Sequence, residues 1–298
     1  MISKNLIYDK ILPLVKDKGR LLDYYLIKSL FGNKDIEIIN ELKKFQNKDG
    51  GFGHGLEPDV RMPNSSVVAT NVAIKALDFV KDKKLKEPMI KDIVSYLESV
   101  YDPKRKGFNM VSKEVDDYPH AVWWNYQDLE KNFPYGNPDP EVVGFLYKNR
   151  KHLKTLNISS LINSVIKHVI SDNFKTGGMH QLMSVLYFYK RVDQDVKNLI
   201  HDRLHEVVSH EFDESTGEWQ YYGLEPYKIY VIEPHFLNAH LEELGRNLSY
   251  NLEKVSTLTV KPNWKWDQYD DVFEEIKHEW TGHLYFDLLY AFRLHRII

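Results

Sequence analysis

Apolar residues recur at intervals of three and four along most of this chain, the spacing of a single buried face on an α-helix. Between residues 35 and 45, Ile36, Ile39, Leu42 and Phe45 share a face and charged residues lie opposite. Asn64-Ser65-Ser66 can cap a helix that carries Val68, Val72, Leu77 and Val80 inward. Pro88 is read as opening another, with Ile90, Ile93, Val94 and Leu97 as its stripe. Pro140 opens a shorter one through Phe145 and Leu146. Further helices are predicted at about 158–171, 178–191, 195–211, 229–245 and 281–296. The first 31 residues hold one or two more, interrupted near Pro13 and Gly19. Alternating β-branched runs bounded by hairpin turns are missing. The chain therefore reads as all-α, with roughly a dozen helices.

Length and composition narrow the picture. With 298 residues and 43% hydrophobic content, the chain can bury a large core. No linker rich in Pro, Gly or Ser divides it, so a single domain over 1–298 is expected. Lys and Arg number 40 against 43 Asp and Glu, a net charge of −3, which gives no basic field for a nucleic-acid partner. There is no cysteine, which excludes disulfides, thiol catalysis and zinc sites with a Cys ligand. Asp9 interrupts the apolar stretch that a signal peptide would need, and no apolar run reaches about 18 residues. A cytoplasmic protein without a membrane span is the expectation. The 19 Tyr, 14 Phe and 6 Trp suit a large core and equally a cavity lined with rings.

Several loops between the helices look alike: Asp49-Gly-Gly-Phe-Gly53, Lys106-Gly-Phe-Asn109, Lys175-Thr-Gly-Gly-Met179, Ser215-Thr-Gly-Glu-Trp219 and the more degenerate Lys261-Pro-Asn-Trp-Lys-Trp266. Their spacing of about 40–60 residues suits one helix pair per repeat, each burying its apolar face on its neighbours. The first loop, Gln46-Asn-Lys-Asp49-Gly50-Gly51-Phe52-Gly53, resembles the Gln-x-x-Asp-Gly-Gly/Ser-Phe/Trp repeat of the terpenoid cyclase and protein prenyltransferase superfamily. The resemblance is close over 46–53 and loose elsewhere. It implies an (α/α)6 toroid of about six helical hairpins; an open superhelix of hairpins is the competing architecture. Protein prenyltransferases hold catalytic zinc through Asp, Cys and His, and a chain without cysteine cannot carry that site. Class II terpene cyclases protonate an alkene with an Asp-x-Asp-Asp acid. The nearest string here, Glu114-Val115-Asp116-Asp117, makes Asp116 the counterpart of the proton donor but has Glu at its first position.

Candidate chemistry gathers in the loops. His54-Gly55-Leu56-Glu57-Pro58-Asp59 places an imidazole and two carboxylates within six residues directly after the motif, an acid/base cluster at the mouth of the ring. The plainer alternative makes Asp49 and Glu57 helix caps that pair with Arg61. Gly223-Leu224-Glu225-Pro226 repeats Gly55-Leu56-Glu57-Pro58, and three repeats later is half a turn of a six-fold ring. Glu57 and Glu225 are then expected to face each other as general acid and base, the constellation of glycoside hydrolysis. His54, Asp59 and His120 would orient them. Asp116-Asp-Tyr-Pro-His120-Ala-Val-Trp123-Trp124 adds an acid, a histidine and paired indoles, whose faces suit sugars or isoprenoids. Trp219, Tyr222, His235, Glu279 and Trp280 complete the expected substrate-binding set. No His-x-x-x-His or His-Glu-x-x-His spacing, phosphate loop or dinucleotide fingerprint occurs, so neither metal nor cofactor is expected.

The leading expectation is an enzyme working by carboxylate acid/base chemistry on a neutral, ring-bearing small molecule, a glycan ahead of an isoprenoid. The alternatives are a non-catalytic toroid that binds a ligand or protein, and an isoprenoid cyclase or transferase. A binding module would leave its acids solvated, an enzyme would bury at least one with a displaced pKa, and isoprenoid chemistry would point Asp116 into a deep apolar cavity.

Overall fold

The computed structural model describes residues 2–126, 135–172, 174, 178–213 and 219–298. It is mostly helical, as the periodicity predicts. The helices are α1 (Lys4–Leu6), α2 (Leu12–Lys18), α3 (Leu21–Ser29), α4 (Asp35–Lys43), α5 (Val67–Leu77) and α6 (Lys83–Ser99). They continue as α7 (Asp139–Lys148), α8 (Ile158–Val169), α9 (Gly178–Arg191), α10 (Gln194–Asn198) and α11 (His201–Asp213). The last three are α12 (Pro226–Tyr230), α13 (Leu241–Ser256) and α14 (Asp270–Leu294). The strands among the described residues are the two-residue pair β1 (Tyr101–Asp102) and β2 (Gly107–Phe108), which close the glycine loop at 106–109 as a hairpin. The expected loops at 175–179 and 215–219 lie mostly outside the described residues.

Proline placement accounts for most boundaries that differ from the sequence reading. Pro88 does not open its helix. Asp82 caps α6 by accepting from the Lys84 and Leu85 N–H groups, and Pro88 sits one turn inside, where its missing N–H removes the one helical bond it would have donated, to the Lys84 carbonyl. Pro13 does not interrupt the first helix, because a π-turn over Ile7–Ile11 precedes it. Pro234 does break the helix predicted at 229–245, leaving α12, a 3-10 turn over Pro234–Leu237, and α13.

The helices pack in sequence order and the contacts return to their start. α3 packs on α4, α4 on α5, α5 on α7, α7 on α9, α9 on α12, α12 on α14, and α14 on both α2 and α3. The main core runs through all of these, with Ile27, Ile38, Leu42, Val165, Phe188, Phe236 and Phe292 fully buried. A second, smaller apolar cluster joins Val60 and Met62 to Trp124, Trp266 and Phe273, with Trp123, Trp264 and Trp280 against it. It fastens the 110–126 and 264–276 segments over the loop that follows α4.

Candidate active site

The Gln46–Gly53 motif is an architectural device. Phe52 is fully buried, and its N–H and C=O bond to the Thr70 hydroxyl and the Ser66 N–H, tying the loop to the start of α5. Asp49 Oδ1 accepts from the Gly51 N–H at 2.9 Å and the Ser65 hydroxyl at 2.7 Å. Gly50 has φ +90°, and a Cβ at Gly53 would stand 2.3 Å from the carbonyl oxygens of both Pro63 and Asn64. These requirements fix the exit of the chain from α4 and aim residues 54–62 across the end of the helices.

Two tight turns then present the acids: Leu56 N–H bonds to Gly53 O, and Val60 N–H to Glu57 O. Arg20, on the approach to α3, donates to Leu56 O at 2.5 Å and holds Asp23 by two further bonds of 2.7 and 3.1 Å. Glu57 and Asp59 are both buried. Asp59 Oδ1 accepts two indole N–H groups, from Trp266 and Trp280, each at 2.6 Å. Arg61, next in the loop, forms a two-bonded ion pair with Glu279 at 2.9 and 3.3 Å.

Burial, together with the Asp59 carboxylate, raises the Glu57 carboxyl from 4.5 to about 7 against the pull of Arg20 and His283. Burial likewise raises Asp59 to about 6, although the two indoles and Arg61 oppose it. Two close carboxyls cannot both ionise cheaply in a poorly solvated place, so near neutrality they hold one proton between them. The indole donors favour charge on Asp59, whereas the hydrogen bond that the Glu57 carboxyl accepts among the described residues is a long one, from the Asp59 N–H at 3.5 Å. The proton therefore resides on Glu57.

Beside the pair lies a recess. His180 is exposed and Tyr222 is half-exposed, yet burial pushes the His180 imidazole down to about 4 and displaces the Tyr222 phenol upward. Solvent contact combined with desolvation marks the wall of a cleft surrounded by protein. The charges of Asp59 and Glu57 also raise the Tyr222 phenol, and it shares a 2.8 Å hydrogen bond with His180 Nε2. An aromatic wall runs from the acids outward: Trp280 meets Trp264 edge-on at 5.1 Å, and Trp264 meets Tyr222 at 5.3 Å. The Trp264 indole N–H is buried without a partner among the described residues. His283 and Asp287 of α14 face the same recess, and each keeps about a third of its side chain in solvent (27% and 35%).

Of the residues singled out from sequence, the structure brings together Glu57, Asp59, Tyr222 and Trp280, with Glu279 beside them through Arg61. It places the others elsewhere. Glu225 precedes α12, and its carboxylate accepts from Asn247 at 2.9 Å and Asn251 at 2.8 Å; no hydrogen bond joins it to Glu57. The charges acting most on Glu57 are those of Asp59, Arg20 and His283. His54 is exposed, with φ 55°, and bonds to Asn47 Oδ1 at 2.9 Å. His120 is buried between Tyr118 O at 2.6 Å and Asn125 Oδ1 at 2.8 Å, and pins the 110–126 segment. Asp116, on that segment, accepts the Tyr126 N–H and is 41% exposed. Trp123 and Trp124 belong to the apolar cluster under the loops. Trp219 packs on Tyr250, and His235 lies against His201 and pairs with Glu233.

The sequence reading missed Arg20, Asp23, Trp264, Trp266, His180, His283 and Asp287. A signal existed for two of them. Trp280, His283 and Asp287 are spaced i, i+3, i+7 and share one helical face, and polar groups on such a face of a long core helix are unusual.

No group of three or more His, Asp or Glu side chains suited to a metal ion occurs among the described residues. No helix of the described residues is long and apolar enough to cross a membrane. Comparison of the chain with protein-family models, curated proteins and solved structures finds no match.

Proposed function

We propose that this protein is an enzyme that uses Glu57 as general acid and Asp59 as its charged partner on a neutral, ring-bearing small molecule, a glycan by preference. The observation that carries the reading is the buried carboxyl pair, one member fixed by two indole donors, beside an aromatic wall of Trp280, Trp264 and Tyr222. A pair whose members are displaced toward neutrality can give and take protons near pH 7, which is the requirement of general acid/base catalysis. Flat indole and phenol faces recognise the faces of sugar rings, and the neighbouring polar groups can bond to hydroxyls. A module that only bound a ligand would gain nothing from two acids held at the cost of desolvation.

We infer further that the helices close into an (α/α)6 toroid whose mouth holds the site. Two facts favour closure over an open superhelix: α14 packs back on α2 and α3, and the recess draws residues from α9, α14 and the 219–225 segment, which are distant in sequence. Isoprenoid chemistry is the weaker reading. Its proton donor would be Asp116, which is exposed and engaged with the Tyr126 N–H.

The test is turnover of a panel of aryl glycosides and natural oligosaccharides by wild type, Glu57→Gln and Asp59→Asn. Loss of about 10²-fold or more in both variants is expected for a substrate that is turned over. Equal rates in all three proteins would refute the assignment.

A further inference from the structure

Helix α14 offers the recess a second set of proton-handling groups. His283 Nδ1 lies 3.2 Å from Asp23 Oδ1, and Asp23 is completely buried and gripped on both oxygens by Arg20. That arrangement fixes the ring: Nδ1 donates to Asp23, and Nε2 is left toward the recess. Its nearest acid there is Asp287 Oδ2 at 3.7 Å, an ion-pair distance too long for a hydrogen bond. Against the opposing effect of burial, Asp287 and Asp23 hold the imidazole above its ordinary pKa. One turn back on the same helix, Trp280 touches both centres. Its N–H bonds to Asp59, and its ring stands edge-on to His283 with centroids 5.9 Å apart. The charge on His283 also acts on Glu57.

Glycoside hydrolysis needs one acid and one base, and Glu57 with Asp59 already supplies both. An imidazole oriented by a buried carboxylate and turned toward the same recess has no task in that scheme. It has one in proton transfer at carbon, where a base removes a C–H proton while an acid protonates the neighbouring carbonyl oxygen. We propose that Asp23, His283 and Asp287 form a second proton-exchange centre on the recess, and that the substrate is a reducing sugar undergoing isomerisation or epimerisation. This rests on the reading of Glu57 and Asp59 as the acid/base pair.

In the forward step the carboxyl pair takes the proton from C2 of the open-chain sugar. The C2–H electrons form the C1–C2 double bond, and the carbonyl oxygen takes a proton from His283 Nε2. Rotation of the enediol, so that the pair returns the proton to the other face of C2 while His283 Nε2 recovers the O1 proton, gives the epimer; return of the proton to C1, with the C2 hydroxyl proton passing to His283 Nε2, gives the ketose. The product is an isomer, so no oxidant or reductant is consumed. The wall of Trp280, Trp264 and Tyr222 supplies the ring faces against which the sugar is held.

The experiment is proton NMR of the full-length protein in D2O near pH 7 with glucose, mannose, fructose, N-acetylglucosamine and N-acetylmannosamine. Loss of the C2–H signal (C1–H for fructose) from at least one sugar, with growth of its isomer, is the expected result. His283→Gln is expected to slow that exchange by about 10²-fold or more, and Glu57→Gln comparably. Absence of exchange from every sugar, or exchange untouched by His283→Gln, overturns the proposal. Glycoside cleavage that depends on Glu57 without any exchange would overturn it too, while leaving the carboxyl assignment standing. Exchange lost in His283→Gln but intact in Glu57→Gln and Asp59→Asn would remove the carboxyl reading instead. Nitrogen-15 shifts of His283 give a readout independent of turnover: Nδ1 protonated throughout the titration, with a midpoint that falls in Asp23→Asn. An unmoved midpoint overturns the centre itself.

Discussion

Replacing Glu57 by Gln tests the most consequential feature of the site, a carboxyl that the fold holds in its protonated form. In the unfolded chain Glu57 ionises near 4.5, and in the folded protein burial and Asp59 raise it to about 7. A carboxyl whose pKa is raised on folding contributes full stability below its unfolded value and loses it as pH climbs through the folded value. The difference between 4.5 and about 7 corresponds to about 3 kcal/mol lost by pH 8. Gln cannot ionise and so does not incur this loss. Thermal and denaturant melts of wild type and Glu57→Gln across pH 4 to 9 are the assay. Below about pH 4.5 the two proteins should differ by a constant set only by the amide's local bonding. The variant should then gain on wild type through pH 5 to 7 and level off near pH 8. For a chain of this length about 3 kcal/mol corresponds to roughly 5 °C in Tm. Asp59 titrates in both proteins and largely cancels. A stability difference that does not change with pH would refute the reasoning, because it would mean that Glu57 ionises in the folded protein as it does in water.

Other consequences are open to measurement. Arg20→Met leaves Asp23 buried with His283 alone and unfastens Leu56 O, so a loss of about 3–5 kcal/mol is expected in urea unfolding, and an unchanged midpoint would contradict the role given to Arg20. Trp266→Phe removes one of the two donors to Asp59 Oδ1, and a carboxyl carbon-13 titration should show the Asp59 midpoint above its wild-type value of about 6. Gly53→Ala drives a methyl into two carbonyl oxygens and should cost several kcal/mol, by about the same route as overpacking a core, whereas Gly223→Ala, with open space around it, should cost under about 1 kcal/mol. Equal melting temperatures for those two variants would argue against the close approach at Gly53.

Helix content was legible in the sequence because each helix must bury one face, and a 3.6-residue period records that demand locally. The stripe of Ile90, Ile93, Val94 and Leu97 located α6 even though Pro88 misplaced its start. Proline restricts only its own φ and one hydrogen bond, so a stronger cap at Asp82 could set the boundary upstream. The acid loop was legible as well, since Glu57, Asp59 and their glycines are neighbours in the chain. Their partners were not. Trp266 and Trp280 reach Asp59 across more than 200 residues, and His283 reaches Asp23 across 260. The echo between residues 55–58 and 223–226 shows the limit of sequence likeness. The two glutamates share a local string, but Glu57 was left among charges and indoles, whereas Glu225 met the amides of Asn247 and Asn251.

By itself, then, the chain determined its helices, the turn at Gln46–Gly53 and the presence of two acids beside it, since each depends on residues a few positions apart. Which side chains surround those acids, and so which acid holds a proton, depended on α14 folding back against α3. Desolvation and charge act through space, and the distance between two residues in space is set by packing, not by their separation along the polypeptide.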